Sequence, residues 1–164
     1  MGDKPTDLRR EIALLLPDLR AFARFLARDP NFADDLVQET VLRALRALPQ
    51  FQAGTSLKAW CFTILRNAFY EQVRRRQIET RTAAQAMPAD ESAPGGQGTY
   101  DAMRDLTRAM WGLSPLLREA LSLVGAQGLS HEEAAAICGV PVGTMKARVS
   151  RARNALAAAL QSPP

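Results

Sequence analysis

Four long cations crowd one short stretch near the C-terminal end of the chain: Lys146, Arg148, Arg151 and Arg153, within "VGTMKARVSRARNAL". No acid follows Glu133, so the i,i+4 pairing with which a solvated helix usually answers its cations is missing here. Guanidinium and ammonium groups left open in this way suit phosphate oxygens and, through paired hydrogen bonds, the edges of bases. A second concentration is "WCFTILRNAFYEQVRRRQ", where Arg66, Asn67, Arg74, Arg75 and Arg76 stand among Trp60, Phe62, Phe69 and Tyr70. Aromatic faces can stack on unpaired bases, an amide can bond a base edge, and cations can hold the nucleic-acid backbone. Trp60 fits a core position as well, and the arginine run also reads as a solvated face. A third group, Asp35, Gln38 and Glu39 in "DDLVQE", either complements a helix dipole or offers a polar docking face.

The elements that must position the C-terminal cations are written in the sequence around them. Ser130 followed by Glu133 is a capping box, in which each side chain satisfies an open N–H of a helix start. Gly139 suits the left-handed residue that ends that helix, and Pro141 prevents its continuation. A second helix then begins between Val142 and Thr144, giving a helix-turn-helix. At 100° per residue, Met145, Val149, Ala152 and Leu156 fall within roughly 60° of one another and must face the core. The opposite side carries Gly143, Lys146, Ala147, Ser150 and Arg151, with Arg148 and Arg153 on the flanks. Its centre is small, so the backbone can sink into a groove while cations reach out from the edges.

The rest of the chain is helical in pattern, with no period-two alternation. Expected helices run over 7–16, from Pro17 to about Arg28, and over 32–48 with Leu36, Val37, Leu42 and Leu45 inward. Another is opened by Ser56, with Trp60, Ile64, Leu65, Phe69 and Val73 as its apolar stripe. "ETRTAAQAMPADESAPGGQGT" has little to bury and reads as a flexible linker. The expectation is therefore an all-α protein of two small helical domains, 1–78 and 100–164, joined by a linker over 79–99. A formal charge of +4 and 47% hydrophobic residues suit a helical protein whose charge distribution matters more than its total. Cys61 and Cys138 lie in apolar contexts and read as buried thiols, and His131 has no partner with metal-ligand spacing. No apolar run approaches the roughly 18 residues a membrane span needs, so a cytoplasmic protein without a membrane partner is expected. No nucleophile–base set, glycine-rich phosphate loop or metal set is present, so neither enzyme chemistry nor a cofactor is expected.

"ADDLVQETVLRALRALPQF" with "SLKAWCFTILRNAFYEQVRRRQ" resembles region 2 of bacterial sigma factors, and "LSPLLREALSLVGAQGLSHEEAAAICGVPVGTMKARVSRAR" resembles region 4. With region 3 replaced by a short linker, the layout is similar to the extracytoplasmic-function (ECF) group, and in particular to its EcfG type, which serves the general stress response. The resemblance implies a promoter-specific transcription initiation factor. Asp35, Gln38 and Glu39 would dock on the clamp helices of the largest subunit of RNA polymerase core enzyme, and the polymerase flap would be a further partner. Asn67 and the loop 51–55 would read a CGTT-like −10 element with one base flipped out, assisted by Trp60, Arg66, Arg74, Arg75 and Arg76. Lys146, Ala147, Ser150 and Arg151 would read a GGAAC-like −35 element, with Arg148 and Arg153 on the DNA backbone and Thr144 also in that −35 surface. A NepR-like anti-sigma factor would be the regulator. The alternative in the same system is a sigma-like decoy that binds the anti-sigma factor but not promoter DNA. Such decoys carry a receiver domain, which this sequence does not show, and the basic helix here is intact.

Overall fold

The computed structural model describes residues 4–82 and 99–162. It contains eight α-helices and no strand among these residues. They form two compact units, the first built on 4–82 and the second on most of 99–162. Most of the expected linker thus lies outside the described residues.

In the first unit, α1 (Lys4–Leu14) and α2 (Leu16–Leu26) are separated at Leu15, with Pro17 in the first turn of α2. Proline is tolerated there because its missing N–H would have had no partner. Helix α3 (Pro30–Ala47) starts two residues earlier than expected. The "RDPN" that reads as a chain break is instead its start: the Asp29 carboxylate accepts from the Asn31 N–H at 2.9 Å, and Pro30 opens the helix. A 3-10 turn at Leu48–Gln50 closes α3. Helix α4 (Leu57–Thr82) opens on the Ser56 hydroxyl, which accepts from the Ala59 N–H at 3.1 Å. It also runs past the expected linker start at Glu79, because Gln77–Thr82 contains no helix breaker and the Thr80 hydroxyl bonds the Arg76 carbonyl within the helix.

Helices α2, α3 and α4 pack on one another around Leu19, Phe22, Leu36, Cys61, Phe62 and Leu65. Phe22 meets Phe62 edge to face at 5.1 Å. Two expectations shift. Leu42 is outward, 48% exposed, and Thr40 and Ala44 take the buried arc of α3 with Leu36 and Val37. Thr40 can be buried because its hydroxyl donates to the Leu36 carbonyl at 2.7 Å. On α4 the buried line is Leu57, Cys61, Leu65 and Ala68 with Phe62, while Trp60, Ile64, Phe69 and Val73 sit on its half-buried flanks. Burial pushes the Cys61 thiol up to about 11, so it stays protonated at neutral pH.

The second unit consists of α5 (Thr99–Gly112), α6 (Pro115–Leu121) with a π-helical turn (Ser122–Ala126), α7 (His131–Cys138) and α8 (Val142–Gln161). Helices α5 and α6 both pack on α8. Met110, Leu113, Ala120, Leu121, Leu123, Leu129, Ala134, Met145, Val149 and Ala152 are buried. Arg118 is buried too. Its guanidinium donates to the Leu113 carbonyl at 3.1 Å and lies 4.1 Å over the Trp111 ring, which offsets the cost of removing a charge from water.

Candidate nucleic-acid interface

Helix α8 is held by local chemistry at both ends of the preceding helix. The Ser130 N–H donates to the Glu133 carboxylate at 3.1 Å, and the Glu133 N–H donates to the Ser130 hydroxyl at 3.0 Å. This is the capping box expected from the sequence. Gly139 has φ +65°, and the Val140 N–H donates to the Ala135 carbonyl at 3.0 Å. That six-to-one bond with a left-handed glycine is a Schellman stop, and it turns the chain into α8. Met145, Val149 and Ala152 are buried as the helical wheel requires. Leu156 is only half-buried, because α8 runs on toward an end where even Leu160 is exposed.

On the outward side Lys146 and Ser150 form one row and Ala147 and Arg151 the next, each pair one turn apart. Arg148 and Arg153 lie to either side. Thr144, Lys146, Ser150, Arg151 and Arg153 are exposed, and Ala147 and Arg148 are half-buried. Among the described residues none of the four cations makes an ion pair. The face is a set of free donors around small residues.

Helix α4 presents a different surface. Arg66, Asn67, Tyr70, Glu71, Val73, Arg74 and Gln77 line an open concavity of about 560 Å³. Asn67 is exposed at its edge. The cations here are held by their neighbours. Arg66 lies 4.6 Å over the Tyr70 ring, Arg76 lies 3.8 Å over the Phe32 ring, and the Arg74 Nε donates to the Tyr70 carbonyl at 3.3 Å. Arg75 is exposed. Trp60, for which the sequence left core and base contact both open, is half-buried with its ring 5.2 Å from that of Phe51 at 53°.

Of the acidic group, Asp35 and Gln38 are exposed on α3. Gln38 borders an open groove between α2 and α3 that is also lined by Arg20, Arg24, Asp34 and Leu42. Glu39 is engaged within the fold. Its carboxylate accepts from the Arg43 Nε at 2.8 Å, and the Arg43 Nη2 donates on to Glu71 of α4 at 2.9 Å. Hydrogen bonding to Glu71 and then Glu39 raises the Arg43 guanidinium above its ordinary value, and the Arg43 bond holds the Glu71 carboxyl below the usual range. Sequence reasoning missed Glu71, Val73 and Gln77 as lining residues, although the spacing 66–67–70–73–74–77 marks one side of a helix once α4 is known to run unbroken.

The chain matches the Sigma-70 region 2 family over residues 12–78 and the Sigma-70, region 4 family over residues 103–156. It is 47% identical over 153 residues to the ECF RNA polymerase sigma factor EcfG of Rhodopseudomonas palustris, covering 93% of this chain and 84% of that protein. Its structure is similar to that of the sigma factor RpoE in complex with the anti-sigma factor NepR from Bartonella quintana. The TM-score is 0.85 at 44% identity, over 96% of this chain and 99% of that one. The PhyRSL–NepR complex from Sphingomonas sp. Fr1 matches more distantly, with a TM-score of 0.65 at 23% identity over 96% of this chain and 93% of that one. That likeness is one of fold. High identity along most of the chain therefore lies with sigma factors and not with the decoy alternative. The two helical units, in this order and with an open basic helix closing the second, belong to an RNA polymerase sigma factor of the ECF group, similar to EcfG.

Proposed function

We propose that the two units divide promoter recognition between them. The outward face of α8 reads a GGAAC-like −35 element, with Lys146, Ala147, Ser150 and Arg151 toward base edges and Thr144, Arg148 and Arg153 on the backbone. The α4 concavity takes the unstacked strand of a CGTT-like −10 element, with Asn67 on a base edge, Trp60 and Tyr70 as stacking faces, and Arg66, Arg74, Arg75 and Arg76 on phosphates. Asp35, Gln38 and Glu39 dock on the polymerase clamp helices, and the second unit meets the flap. The protein acts in the cytoplasm as a general stress response regulator with no enzyme chemistry of its own. A NepR-like anti-sigma factor, of the kind that the Bartonella relative binds, silences it.

The observation that carries this reading is the contrast of surfaces. Four cations of α8 make no ion pair among the described residues and stand beside an outward arc that is small at its centre, while those of α4 are braced around an exposed amide. The test is transcription in vitro with purified core polymerase on a template bearing GGAAC and CGTT elements. Activity is expected only with core present. Asn67→Ala should lower open-complex yield on duplex and recover on a pre-melted template, where unstacking has already been supplied. Equal loss on both templates would make Asn67 a structural residue.

A further inference from the structure

The concavity on α4 has one feature that a nucleic-acid site should not tolerate. Glu71 lines it beside Arg66, Asn67 and Arg74, and a carboxylate facing a phosphate chain repels it. The structure answers that charge from another helix. Arg43 of α3 reaches Glu71 Oε2 through Nη2 at 2.9 Å while its Nε holds Glu39 at 2.8 Å. The Arg43 side chain is 32% exposed, against 42% for Glu71 and 37% for Glu39, so the bridge is partly screened but not fully solvated. The bond to Glu39 anchors the planar guanidinium, and its other bond directs the Glu71 carboxylate. Arg74 and Arg75 act on Glu71 through space as well. The hydrogen bond to Glu71 comes from Arg43.

We propose that Arg43 is a positioning residue for promoter opening, which neutralises Glu71 and ties its carboxylate to α3, so that the α4 concavity accepts an anionic ligand. This rests on the reading of that concavity as the −10 site. Arg43 itself does not line the concavity and needs no contact with DNA. Its second bond, to Glu39, joins the same guanidinium to the group assigned to polymerase docking. When the polymerase takes over Glu39, Arg43 remains available to Glu71 alone, and the neutralisation is strongest at the step where DNA enters.

The test uses holoenzyme assembled from the full chain at saturating core polymerase, with open-complex yield on a −10/−35 duplex as readout. Arg43→Met keeps the aliphatic stem and removes the charge. It should lower the yield about three- to fivefold at low salt, with a smaller deficit at high salt. Arg43→Lys should retain most of the activity. The decisive variant is the double substitution Arg43→Met with Glu71→Gln, which should return the yield to within about twofold of the parent, because no charge remains to be neutralised. Thermal unfolding of each variant separates this from a general loss of fold. A deficit that Glu71→Gln does not relieve would overturn the proposal and make the bridge purely structural. So would a loss with Glu71→Gln alone as large as that with Arg43→Met, which would make Glu71 a base reader. No deficit in Arg43→Met while Asn67→Ala still fails would overturn this proposal alone. No deficit in either variant would overturn the assignment of the concavity as well.

Discussion

Helices α4 and α8 are both long, basic and joined to small helical cores, yet they handle their cations in opposite ways. On α8 the charged groups make no ion pair among the described residues and surround small residues. On α4 the cations lie over rings or donate to a carbonyl, and the acid among them, Glu71, is answered by Arg43 of α3. The difference matches the two forms of DNA proposed for them. A duplex brings its own rigid geometry, so flexible donors can adapt to a groove that is already shaped. A melted strand brings no geometry, so the protein must supply ordered stacking faces and fixed donors in advance. One surface is left open and the other is braced.

Arg151→Ala and Lys146→Ala should each cost about 1–3 kcal/mol at −35 sites and relax the preference at one base. The measurement is transcription on single-base −35 variants, and an unchanged preference in both variants would remove α8 from base reading. Next, Gly139→Ala should destabilise the second unit by about 1–2 kcal/mol, the cost of a side chain in the left-handed region. Nothing stands within 4 Å of the added Cβ, so the backbone alone is responsible. The urea midpoint should fall with m unchanged, while activity on a fork template lacking the −35 element should be spared. Equal losses on both templates would mean that the turn supports more than α8.

Arg76→Met tests the braced surface. Losing the cation over Phe32 should cost about 0.5–1 kcal/mol of stability and weaken promoter binding across all sequences, with base preference intact. A shift in −10 preference would show that Arg76 reads a base and is not held in reserve by the ring. The smallest effect concerns acid. Because Arg43 holds the Glu71 carboxyl below its ordinary value of 4.5, the bridge stabilises the fold at neutral pH. That contribution is lost as pH falls below the ordinary value and through the depressed one. With both side chains partly exposed it amounts to less than about 1 kcal/mol. The stability gap between the parent and Glu71→Gln should therefore close in acid, and a gap that persists there would assign the stabilisation to packing.

Features governed by neighbours a turn apart are legible in the chain alone. The Ser130–Glu133 box, the left-handed Gly139 and the arc of Met145, Val149 and Ala152 depend on spacings of three or four residues along one helix, and all stand as expected. So does the all-α class, which follows from periodicity. The start of α3 was legible in principle, since Asp29 and Pro30 are a cap and first-turn pair, but the same residues also signal a break. Only the tertiary structure decided that Leu42 points outward while Thr40 is buried, and that Trp60 is packed against Phe51. It alone joined Arg43 to Glu71, 28 residues away in the chain. The helical wheel gives the angles between side chains on one helix, but which arc is buried depends on where the other helices lie. A charge on one helix can be answered from another only after both have packed.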